Sequence, residues 1–123
     1  MVAASSAPVR DLLELRHRLR EFATARDWDQ FHSPKNLAMA LSVEAAELVE
    51  HFQWLTEAES SELAPEKKAQ VADELADVLA YLVRIADKLG VDLLEAASAK
   101  IERNEERYPV DRARGSARKY TEL

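Results

Sequence analysis

Gln70-Val71-Ala72-Asp73-Glu74-Leu75-Ala76-Asp77-Val78-Leu79-Ala80-Tyr81-Leu82-Val83-Arg84-Ile85-Ala86-Asp87-Lys88-Leu89-Gly90 carries the clearest period in this 123-residue chain. Val71, Leu75, Val78, Leu82, Ile85 and Leu89 alternate four- and three-residue steps over about five turns, which is the spacing of one face of an α-helix. Gly90 follows the last apolar residue, where a left-handed C′ position favours glycine. The neighbouring stripe is polar and reads Gln70, Glu74, Asp77, Tyr81, Arg84, Lys88.

The same punctuation extends in both directions. Residues 56–65 are rich in Ser, Glu and Thr and end in Pro65, so they form a connection and the helix begins near Glu66. Upstream, Ser33 offers an N-cap oxygen and Pro34 loses nothing at the first helical position, so another helix starts there and reaches Phe52 or Trp54. Asp27-Trp28-Asp29-Gln30-Phe31-His32 has no period and reads as a loop. A first helix precedes it, from Val9 to Arg26, with Leu12, Leu15, Leu19 and Phe22 on one stripe. Downstream, Asp92 and Glu95 make a D-x-x-E capping box that opens a fourth helix through about Arg107, and Pro109 stops it. The expected fold is all-α, a four-helix antiparallel bundle over residues 9–109 with a leader at 1–8 and a basic tail at 110–123.

Composition agrees. At 13.9 kDa, with 47% hydrophobic and 33% charged residues, the chain has the material for one domain and its core. Two glycines and four prolines are too few for a loop-rich β fold. The absence of cysteine excludes disulfides, thiolate metal sites and cysteine nucleophiles, and fits a reducing compartment, the cytoplasm. The apolar runs are too short for a membrane span, and the first residues lack the pattern of a signal peptide. Net charge is −6, divided into −8 over residues 1–99 and +2 over residues 100–123. An acidic body repels a phosphate backbone, so nucleic acid is not the expected partner. It attracts divalent cations instead.

Glu44 shares a stripe with Leu37, Leu41 and Leu48, a costly place for a carboxylate without a partner. Glu47 lies one turn further on, and the third helix offers Glu74 and Asp77 at the same spacing. Each pair alone also suits a solvated helix face. Packed face to face, the four carboxylates would repel one another unless a cation intervened, and an all-oxygen set selects Mg²⁺ or Mn²⁺. A di-iron bundle needs two Glu-x-x-His motifs, whereas only Glu14-x-x-His17 is present. Trp28 and Trp54 suit either plugs for the bundle's ends or flat faces that stack on a nucleobase. His51 lies one turn beyond Glu47, and His32 precedes the cap of the second helix. Lys100, Asn104 and Arg107 or Tyr108 form a partly basic edge on the fourth helix.

With these residues in view, the chain resembles the MazG-like all-α nucleotide pyrophosphohydrolases, most of all their dCTP pyrophosphatase branch. The resemblance runs from about Leu12 to Leu123. It is carried by Arg26–Leu37, Glu44-Ala45-Ala46-Glu47-Leu48 with Phe52-Gln53-Trp54, Glu74–Leu82, Asn104–Pro109 and Arg118-Lys119-Tyr120-Thr121-Glu122-Leu123. It implies that Glu44, Glu47, Glu74 and Asp77 bind Mg²⁺, with Mn²⁺ as a substitute. It implies that Trp28 and Trp54 embrace the base, that His32 and Tyr81 line the pocket, and that Lys100 and Asn104 contact phosphate. The implied reaction is hydrolysis of dCTP, or a modified dCTP, to the monophosphate and pyrophosphate, with Glu44 or Glu47 as general base. The implied assembly is a homo-oligomer, a tetramer built as a dimer of dimers. Some relatives carry a histidine where this chain has Leu19, which leaves a broader nucleotide range open. A non-catalytic helical interaction module is the reading from another class.

Overall fold

The computed structural model describes residues 7–123, and the first six residues of the expected leader lie outside them. The long helices begin where a side chain caps a free amide or a proline removes one. Asp11 accepts from the Glu14 amide at 2.8 Å to open α1, Leu12–Ala25. Ser33 accepts from the Asn36 amide at 3.1 Å, and Pro34 begins α2, Pro34–Glu50. The connection after it contains a turn not anticipated from sequence: Thr56 and Glu59 form a reciprocal capping box around α3, Glu57–Ser60. Pro65 then opens α4, Pro65–Leu89, which ends on Gly90 at φ 67° in the left-handed region. Asp92 accepts from the Glu95 amide at 3.0 Å to cap α5, Leu93–Arg107. Beyond Pro109, the tail forms α6, Val110–Ala113, and a single 3₁₀ turn at Tyr120–Glu122.

The four long helices read from the sequence are therefore present, and no strand occurs among the described residues. No helix among them is long and apolar enough to cross a membrane. The chain divides into two compact units after Gly90. In the first, α2 packs along α4 and α1 also lies against α4. Ala23, Leu37, Val71, Val83 and Ala86 form its buried apolar centre. In the second, the tail folds onto the end of α5: Tyr120 meets Tyr108 edge to face at 5.9 Å, and the Arg107 guanidinium lies over its ring at 4.9 Å.

The face of α4 that turns inward is not the one that apolar periodicity selects. Leu75, Leu82 and Leu89 on the regular seam stay 52%, 40% and 59% exposed, and only Val71 of that seam is fully buried. Arg84, from the polar stripe, is 4% exposed. The cause is electrostatic. Asp29 of the loop before α2 and Asp87 of α4 itself meet Arg84, so its burial is compensated, whereas Leu75, Leu82 and Leu89 stay open among the described residues.

Candidate active site

Packing α2 on α4 brings the two acidic pairs together. Glu44, Glu74 and Asp77 each place one carboxylate oxygen within 4.8 Å of the others. Glu47 is outside that set of three but close enough to act on Glu44. Burial, then hydrogen bonding to Glu47, then the charges of Glu47 and Asp77 push the Glu44 carboxyl up to about 7. Near neutrality the cluster without a cation therefore tends to hold a proton that a bound cation would displace into solvent.

Two oxygens in the cluster, Glu44 Oε2 and Glu74 Oε2, are buried and have no hydrogen-bond partner. A buried carboxylate oxygen is costly when unpaired, and these two point to a missing counter-charge. The donor set is all oxygen, as a hard divalent ion requires. The residues fit such an ion. Beside them, half-buried His51 places Nε2 3.9 Å from Glu74 Oε1, so it is a packed neighbour of the acidic cluster and not merely a solvated one.

The aromatic candidates lie at the surface. Trp54 is 87% exposed because α2 stops at Glu50 and a series of turns through Leu55 carries it outward. It plugs nothing. Trp28 stacks edge to face on Phe22 at 5.6 Å and leaves nearly half its surface free. Its loop leaves α1 through Asp27 at φ 55° and forms a 3₁₀ turn over Asp29–Phe31. Half-buried Tyr81 lies one turn beyond Asp77 on α4. Exposed Lys100 and half-buried Asn104 lie one turn apart on α5, in the second unit.

Sequence reasoning assigned no role to the charged network at the other end of α4. Arg84 Nη2 donates to Asp29 Oδ1 at 2.9 Å, and Lys88 Nζ donates to the same oxygen at 2.6 Å. These two cations hold the Asp29 carboxyl below its usual range. Arg84 also reaches Asp87 Oδ2 at 3.4 Å, and Asp87 accepts both Nε and Nη2 of Arg20, which keeps its carboxyl low as well. Arg84 Nη2 lies 3.2 Å from His32 Nδ1. Since a guanidinium only donates, Nδ1 accepts and the imidazole proton sits on Nε2. Burial, reinforced by the Arg84 charge, holds the His32 pKa below its ordinary value, so the ring is neutral at pH 7. The polar stripe hinted at Arg84, but no local pattern reveals a pair 55 residues apart.

The comparisons with known proteins agree with this geometry. Residues 39–123 match the MazG-like family. The dCTP pyrophosphatase 1 of Rattus norvegicus is 47% identical over 121 residues, covering 97% of this chain and 71% of the rat protein. That of Homo sapiens is 46% identical over 121 residues, with the same coverage of 97% and 71%. A crystal structure of a pyrophosphatase from Archaeoglobus fulgidus is similar to this one with a TM-score of 0.77. It is 40% identical, covering 85% of this chain and 98% of its own. The chain belongs to the MazG-like family.

Proposed function

We propose that this protein hydrolyses dCTP between the α- and β-phosphates, giving dCMP and pyrophosphate, with Mg²⁺ as its cation. The observation that carries the reading is the convergence of Glu44, Glu74 and Asp77 with two buried oxygens left unpaired. The identity to the dCTP pyrophosphatase 1 proteins supplies the substrate. The lack of cysteine suits a cytoplasmic setting.

Glu44, Glu74 and Asp77 would hold the cation from two helices, so α2–α4 packing sets the site. A bound divalent ion neutralises triphosphate charge and polarises the α-phosphoryl oxygens. Glu47, next to Glu44 but outside the set of three, is the carboxylate left to accept a proton from the attacking water. The open faces of Trp28 and Trp54 offer stacking surfaces to the base. Neutral His32 donates from Nε2, and Tyr81 brings a hydroxyl one turn from Asp77. Lys100 and Asn104 carry the donors that the family resemblance assigns to phosphate. Exposed Leu75, Leu79 and Leu89 on α4, with Met39 and Val43 on α2, support a homo-oligomer, and the family resemblance makes it a tetramer built as a dimer of dimers.

The test is pyrophosphate release from dCTP, with dCMP as co-product, stopped by EDTA and restored by Mg²⁺. Comparable turnover of other nucleoside triphosphates would establish the broader enzyme, the reading that Leu19 leaves open. No turnover of any triphosphate and no thermal shift with Mg²⁺ and dCTP would leave a non-catalytic helical module.

A further inference from the structure

We propose that Arg84 is a positioning residue that fastens the Trp28–His32 loop to α4 and thereby sets where the nucleotide's base is received. The inference rests on the functional reading above for its substrate, but its geometry stands apart from the acidic cluster. The loop follows a left-handed Asp27, and much of its remaining bonding is local: Trp28 N–H donates to Ala23, Gln30 reaches back to Asp27, and Asn36 donates to the Phe31 carbonyl. Among the described residues, its side-chain hydrogen bonds to α4 are those that Asp29 and His32 make with Arg84 and Lys88.

Arg84 suits this task better than Lys88 does. Its side chain is 5% exposed and gives one nitrogen, Nη2, to both Asp29 and His32, the residues that follow Trp28 and close the loop. Its other arm is held by Asp87, which Arg20 of α1 holds in turn. The guanidinium is thus fixed from behind and presents a rigid donor to the loop. It also fixes the His32 tautomer, leaving the Nε2–H as the ring's donor. Arg84 lies seven residues beyond Asp77 on one continuous helix, about 10 Å along its axis, so α4 spaces the loop anchor from the cation ligands.

The experiment uses the full chain carrying Arg84→Met, Asp29→Asn or both, assayed with dCTP and Mg²⁺ beside thermal melts. KM for dCTP should rise about tenfold in each single variant while kcat stays within about twofold. The double variant should fall short of the product of the two single effects, because both cut the Arg84–Asp29 contact while each also cuts a contact that the other keeps. In a ligand-free Trp54→Phe background, where Trp28 is the lone tryptophan, either substitution should lower Trp28 fluorescence anisotropy and raise its quenching by acrylamide. Asp29, with its side chain 57% exposed, can be changed without opening the interior, so Asp29→Asn decides if Arg84→Met fails to fold. Unchanged KM and unchanged Trp28 anisotropy in a folded variant overturn the proposal, as does a loss confined to kcat. If the unsubstituted chain leaves dCTP intact, the substrate assignment fails and the anisotropy measurement alone judges the anchor.

Discussion

Helix α4 gathers charge at two places, and the two are built in opposite ways. Toward its middle, half-buried Glu74 and exposed Asp77 face Glu44 of α2, acid against acid, and one buried oxygen of Glu44 and one of Glu74 lack partners. Toward its end, Arg84 and Lys88 meet Asp29, and Arg84 and Arg20 meet Asp87, each carboxylate answered by a cation. In the second arrangement the charges are matched within the chain, although Arg84 Nε and Arg16 Nε are buried without hydrogen-bond partners. The first is a cluster of one sign, and a proton on Glu44, whose carboxyl is pushed up to about 7, relieves part of its repulsion. A matched network stabilises and positions; an unmatched cluster of one sign stores a binding energy that a cation releases.

The sharpest way to break this contrast is to neutralise each side in turn. Glu74→Gln should reduce dCTP turnover by about a thousandfold, as expected when a ligand to the activating ion is lost. The same change should leave the metal-free melting temperature equal or higher, since it removes repulsion. Retained turnover would separate the cluster from the chemistry. Asp87→Asn should do the reverse, costing about 3 kcal/mol in urea unfolding because Arg84 and Arg20 lose a partner whose side chain is 6% exposed. An unfolding midpoint unchanged by that substitution would show that the network contributes little.

pH sharpens the comparison further. Glu44 has a folded pKa of about 7, above its unfolded value, so the folded chain binds its proton more tightly. Metal-free stability should therefore be full below about pH 4.5 on this group's account and fall as pH rises toward 7, by on the order of 2–3 kcal/mol. Asp87 is held low and acts oppositely, its contribution vanishing as pH drops below the ordinary carboxylate range. Urea titrations in EDTA at pH 5 and 7.5 should show the loss at the higher pH, and Mg²⁺ should abolish it. The smallest stability effect belongs to Trp54→Ala. At 87% exposure the substitution should change unfolding by less than about 0.5 kcal/mol while raising KM for dCTP roughly tenfold.

Much of this was legible from local signals. Ser33-Pro34, Pro65, Gly90 and Asp92 mark helix ends because capping depends on a few adjacent residues, and the structure places ends there. Glu44 was visible as a carboxylate on an apolar stripe, and its convergence with Glu74 and Asp77 follows from that anomaly. Thr56-x-x-Glu59 was equally local and had the form of a capping box, yet its Ser- and Glu-rich surroundings read as a connection. The inward face of α4 was not legible. Apolar period ranks Leu75 and Leu89 above Arg84, but burial went to the residue whose charge is met by Asp29, far away in sequence. Periodicity registers hydrophobic cost and is blind to a distant counter-ion.

The most direct test of the central claim is calorimetric titration of Mg²⁺ into the metal-free chain beside its Asp77→Asn variant. The account predicts saturable binding to the unsubstituted chain with proton release near pH 7, and loss of that binding in the variant. Identical titration curves for the two proteins would contradict it.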